Sequence, residues 1–77
     1  MRGMHRIFYD PHNGPDPERY SLGVAGAVKD MEPIADQLRD GLPVTLYTYD
    51  LPDIQAVLEW DEVWGWTARP TAEAKHA

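Results

Sequence analysis

Three consecutive stretches decide the fold: Val44-Thr45-Leu46-Tyr47-Thr48-Tyr49, then Asp50-Leu51-Pro52-Asp53, then Ile54-Gln55-Ala56-Val57-Leu58-Glu59-Trp60. The first is rich in β-branched and aromatic residues, which suit a pleated, half-buried surface, and it reads as a strand. The second is a turn, because Pro52 pre-sets its own φ and the aspartates bond readily to nearby backbone. In the third, Ile54, Ala56, Leu58 and Trp60 alternate with Gln55, Val57 and Glu59, the period of two that sends one set to a buried face. The two strands therefore make a hairpin. Asp61-Glu62-Val63-Trp64-Gly65 predicts the next turn, with Gly65 at a positive φ, and Trp66 to Arg69 returns as a third strand before Pro70. A three-stranded antiparallel meander over Val44 to Arg69 follows, with Leu58 and Trp60 on its core face.

Upstream, His5 to Tyr9 reads as a first strand that breaks at Asp10-Pro11. Residues 10–18 hold three prolines and a glycine and read as a loop. Tyr20, Leu22, Val24 and Val28 fall on alternate positions and predict a strand, with Gly23 and Gly26 interrupting it. Asp30 then predicts a helix N-cap, because Met31, Ile34, Ala35 and Leu38 follow at helical spacing, with Pro33 in the first turn and Gly41 available to end it. Their apolar stripe belongs to the core. The chain thus predicts a mainly β fold with one short helix, or an α+β arrangement. The form expected is a small SH3-like, partly open barrel or a bent sheet ending in the meander.

A resemblance bears on that architecture. Leu46-Tyr47-Thr48-Tyr49-Asp50 resembles the first-strand motif of eukaryotic SH3 domains, and Trp64-Gly65-Trp66 is similar to their double-tryptophan strand. It covers at most the last 30 residues and implies barrel architecture alone. Only Leu51 to Val63 separate the two motifs here, where the family has a long loop and a further hairpin, so its proline-peptide function is not carried over.

Seventy-seven residues allow one modest core, expected over residues 1–70, with residues 71–77 expected as a disordered tail. The absence of cysteine excludes disulfides, thiolate chemistry and Cys-type zinc sites. The start Met1 to Arg6 lacks the apolar stretch of a secretory signal and no run of about 18 apolar residues occurs, so a cytoplasmic location is expected. Net charge is −6, and nine acids with only Arg39 lie in residues 30–62. Such a surface repels phosphate and anionic lipid, so neither direct nucleic-acid binding nor membrane binding is expected, and a basic or apolar protein patch fits better.

Chemistry has little to work with. Asp10, His12 and Asp16 sit close in sequence but fail the calcium-loop and zinc templates, so no metal or cofactor is expected. Ser21 is the only serine and lies in no nucleophile motif, and no phosphate loop is present, so catalysis is not expected. The aromatics are more informative: Tyr47 and Tyr49 share one face, Trp64 and Trp66 another, and a sheet this small cannot bury them all. The expectation is a non-catalytic interaction or regulatory module. Its partner-binding residues would be Tyr47, Tyr49, Trp64 and Trp66, with Glu59, Asp61 and Glu62 as an acidic rim. The alternatives are a metal-dependent enzyme or sensor on the 10–16 loop, and a subunit that self-associates through strand edges or tryptophans.

Overall fold

The computed structural model describes residues 5–71. In chain order these form β1 (His5–Phe8), β2 (Tyr20–Ser21), α1 (Ala25–Met31), a 3-10 segment (Glu32–Gln37), β3 (Pro43–Tyr47), β4 (Ile54–Asp61) and β5 (Gly65–Pro70). The strands make one mixed sheet in the order β1-β3-β4-β5-β2, curved into a half-barrel.

The meander is present: β3 pairs antiparallel with β4, placing Val44 opposite Ala56, and β4 pairs with β5, placing Leu58 opposite Ala68. Gly65 closes the second turn at φ 79°, a conformation that costs a residue with a Cβ. Leu58, Val44, Leu46 and Ala68 are fully buried. Trp60 is not in the core, contrary to the alternation-based expectation; it is 54% exposed. β4 is eight residues long and pairs with β5 as far as Asp61 and Gly65, beyond the last buried pair, Leu58 and Ala68. The core face thus continues past the core, and its last member emerges into solvent.

β1 lies beside β3 and runs parallel to it, with Ile7 opposite Leu46. Between them the chain crosses to β2 at the far edge of the sheet, where Tyr20 and Ser21 pair with Ala68 and Thr67 of β5. The strand expected over Tyr20 to Val28 ends after these two residues. Leu22 is buried and its N–H donates to the Trp66 carbonyl, after which helix begins at Ala25. Ala27 and Met31, one helical turn apart, point into the core, whereas Val28 is exposed.

The helix therefore opens six residues before the predicted start, and Asp30 is not its cap. Val24 occupies that position with no side-chain bond. Asp30 stands in the last turn, where a carboxylate opposes the helix dipole, and better partners hold it there. Its Oδ2 accepts the Phe8 N–H at 3.0 Å and the Tyr47 O–H at 2.7 Å. Phe8 N–H faces away from β3 on the open side of β1, so Asp30 and α1 occupy an edge that would otherwise present a free donor. Gly26 permits this approach: a Cβ there would lie 2.8 Å from the Phe8 ring. Pro33 has no N–H to bond back to residue 29, and α-helix gives way to 3-10 geometry at Glu32. Ile34 and Leu38 pack against the core as partly buried side chains. No helix among the described residues is long and apolar enough to cross a membrane. The expected disordered tail lies outside the described residues, Thr71 excepted.

Candidate interaction surface

The residues singled out from sequence fall in three separate places. Tyr47 and Tyr49 are at the β1–β3 side, both against Phe8, with ring centroids 5.8 and 5.5 Å away. Arg6 lies over the Tyr47 ring at 4.6 Å, and the Tyr47 hydroxyl serves Asp30, which pushes that phenol above its ordinary value. Tyr47 is thus structural, while Tyr49 is 88% exposed. Tyr47 neighbours the Ile54 end of β4, and Trp64 lies past its other end, about 20 Å away at roughly 3.3 Å per strand residue.

Glu59 and Asp61 occupy the opposite face of β4 from Leu58 and Trp60. Arg19 reaches Asp61 at 3.2 Å, Asp16 at 2.9 Å and Glu59 at 3.9 Å. Arg69, opposite Val57 on β5, reaches Glu59 at 2.7 Å and Glu18 at 3.2 Å. Asp61 also accepts the N–H groups of Val63 and Trp64, at 2.8 and 2.9 Å, so it organises the turn. Those two backbone bonds, and then Arg19, hold its carboxyl below the ordinary range. For Asp16, Arg19 comes first and the Glu18 N–H second, with the same direction. Two of the three acids expected to rim the aromatic surface are therefore matched inside the chain.

The third, Glu62, is exposed in the β4–β5 turn beside Val63. Val63 is 88% exposed and Trp64 41%. Trp60 and Trp66, directly opposite each other, meet edge to face at 5.2 Å, Trp66 being half-buried against the core. Asp40 adds a second acid, accepting the Trp60 backbone N–H at 2.7 Å. Among the described residues neither Asp40 nor Glu62 makes an ion pair. The hairpin end thus presents exposed indoles, with Asp40 bonded to the Trp60 backbone and Glu62 exposed in the adjoining turn. Such a surface suits a cation that stacks on the ring and an apolar group that covers it. Sequence reading missed Trp60, Val63 and Asp40 here; for Trp60 the length of the apolar-polar alternation, running to Asp61, was the available signal.

Within the 10–18 loop, Asp10 accepts the His12 N–H and Asp16 the Glu18 N–H, both at 2.9 Å. Among the described residues no three His, Cys, Asp or Glu side chains converge as a metal site would require. No family model matches the chain, and no curated protein or solved structure matches it.

Proposed function

We propose that this chain is a small acidic, non-catalytic interaction module that docks a basic, partly apolar segment of a partner protein on its hairpin end. The observation that carries the reading is the joint exposure of Trp60, Val63 and Trp64 at the tip of one hairpin. Large side chains grouped outside the core of a domain this small waste apolar burial unless something covers them. The charge supports a basic partner: Asp40 and Glu62 both belong to the hairpin end, and the chain carries net charge −6. Binding would combine indole contact with arginine or lysine and attraction that salt screens. Edge pairing between copies has less support, because Asp30 holds the Phe8 N–H on one side and the Asn13 carbonyl accepts the Ser21 N–H on the other.

The test is a nuclear magnetic resonance titration of the labelled chain with a capped Arg-Leu-Arg peptide, at about 0.05 and 0.5 M salt. Shifts at Trp60, Val63 and Trp64 that weaken with salt and vanish in a folded Val63→Ser, Trp64→Ser double variant are expected. Binding that the double variant retains would remove the reading.

A further inference from the structure

One pair of residues in the proline-rich loop carries reactive groups that the fold leaves unengaged. Asn13, the only asparagine in the chain, and Gly14 are half-buried and line a surface depression with His12 and Asp16, so water reaches both. Among the described residues the Asn13 carboxamide makes no hydrogen bond, and the Gly14 N–H donates to no acceptor. An asparagine carboxamide is open to attack by the nitrogen of the next residue, because closure makes a five-membered ring. A side chain on that next residue obstructs the approach, and glycine has none. Packing fixes Gly14 as glycine, since a Cβ there would overlap the Arg19 carbonyl oxygen. The position therefore cannot shed its reactivity by gaining a side chain.

The chemistry needs only water. The Gly14 amide nitrogen gives its proton to solvent and bonds to the Asn13 Cγ; the bond from Cγ to the carboxamide nitrogen breaks, and that nitrogen takes a proton and leaves as ammonia. Water then adds to one of the two carbonyl carbons of the resulting cyclic imide and breaks that carbon's bond to nitrogen. Opening at Cγ gives aspartate, whereas opening at the main-chain carbon gives isoaspartate, in which the chain runs through the former side chain. Each event adds one negative charge. The main-chain carbonyl at stake is the one that accepts the Ser21 N–H at 2.9 Å and ties the loop to β2. In isoaspartate it becomes a pendant carboxylate, and the chain gains a methylene beside a Gly14 that already lies against Arg19. The Asn13 N–H also donates, to the Asp10 carbonyl at 3.1 Å, so the folded backbone is held at both groups and reacts more slowly than a free peptide.

We propose that Asn13–Gly14 is a self-modifying site, converted through a cyclic imide to aspartate and isoaspartate, and that the isoaspartyl form loosens the β2 edge. Its chemistry owes nothing to the tryptophan surface. The test incubates the chain in mildly alkaline buffer at body temperature, beside a capped Pro-His-Asn-Gly-Pro peptide and an Asn13→Gln variant, and maps tryptic fragments by mass spectrometry. Expected is a gain of about 1 Da in the fragment holding Asn13, slower than in the peptide and absent from Asn13→Gln, with isoaspartate in the same fragment by enzymatic methylation. The isoaspartyl form, isolated by chromatography, should exchange its Ser21 amide hydrogen about 2- to 10-fold faster than the parent, the factor of one hydrogen bond. An Asn13 fragment of unchanged mass once the peptide has converted would overturn the proposal. So would a mass gain without isoaspartate, or an isoaspartyl form whose Ser21 amide exchanges as in the parent.

Discussion

Alternate residues of β4 meet opposite fates. Glu59 and Asp61 point to one side and end in ion pairs with Arg19 and Arg69, whereas Trp60 between them stands more than half in solvent. Polarity alone would have assigned these residues the other way round, with the carboxylates free and the indole inside. What decides is the neighbouring layer. On the carboxylate side, the loop leading to β2 brings Arg19 across β5, and its side chain is only 18% exposed. On the indole side, the buried cluster stops at Leu58, and two further residues of strand carry the apolar face into water. Local pattern thus sets which face a residue occupies, and the extent of the tertiary layer sets whether that face is covered.

The largest effect tests where cover ends. Leu58→Ala removes a fully buried side chain and should destabilise the chain by about 2 to 5 kcal/mol, read as a lowered urea midpoint. In a domain with a core this small, partial unfolding of the variant at room temperature is an expected outcome. A midpoint close to the parent's would mean that β4 does not present Leu58 to the core, and the contrast between Leu58 and Trp60 would fall.

Next in size is the carboxylate that the contrast leaves out. Among the described residues Asp30 is matched to no base; it serves the Phe8 N–H and the Tyr47 O–H. Asp30→Ala strands both donors and should cost about 1 to 3 kcal/mol, with Tyr47→Phe costing about 1 kcal/mol because one of the two bonds survives. Equal losses in the two variants would show that the Phe8 bond contributes nothing to holding the helix on β1.

A smaller effect sharpens the ionic side through its pH dependence. Asp16 and Asp61 are held below their ordinary value of 3.8, so the folded chain binds fewer protons there than the unfolded chain as pH approaches that value. Their contribution is complete above the unfolded value and is lost as pH falls through the lowered folded value. Arg19→Met should therefore be less stable than the parent at neutral pH, and the gap should close below about pH 4 as both carboxyls take up protons. A gap constant with pH would mean that Arg19 acts by packing its stem rather than by its charge. Asp61 should stay below its ordinary value in the variant, since the Trp64 and Val63 N–H groups stabilise its carboxylate without help from Arg19.

Legibility followed range. The β3–β4–β5 meander was readable because its pairing partners are sequence neighbours and its turns carry their own chemistry, down to the positive φ of Gly65. The parallel pairing of β1 with β3 was not, since no residue in His5 to Phe8 names a partner nearly 40 positions away. Tyr20, Leu22 and Val24 alternate as a strand would, but only Tyr20 and Ser21 find a β5 partner, and Ala27 and Met31 follow at helical spacing that a period-two pattern through Val28 hides. Asp30 looked like a cap because it precedes an apolar run, and only the packed β1 edge reveals its use. Trp64 and Glu62 stand exposed near each other, as neighbours in sequence must; Trp66 packs half-buried against the core, Trp60 emerges where the alternation puts it inside, and Asp40, twenty residues before Trp60, reaches it only in the fold.

The smallest expected effect on stability falls on Val63, and it separates folding from binding at the hairpin end. At 88% exposure its side chain contributes almost nothing to the core, and the turn is held by Asp61 and Gly65. Val63→Ser should therefore change stability by no more than about 0.5 kcal/mol while weakening the Arg-Leu-Arg peptide, because the variant loses apolar contact only when a partner is present. Trp60→Ser is the companion measurement. It removes one ring of the edge-to-face pair with Trp66 and should cost more stability than Val63→Ser but far less than Leu58→Ala, the graded order that progressive emergence of this face requires. Should Trp60→Ser destabilise as much as Leu58→Ala, the indole is part of the core in solution, and the two faces of β4 differ in polarity alone.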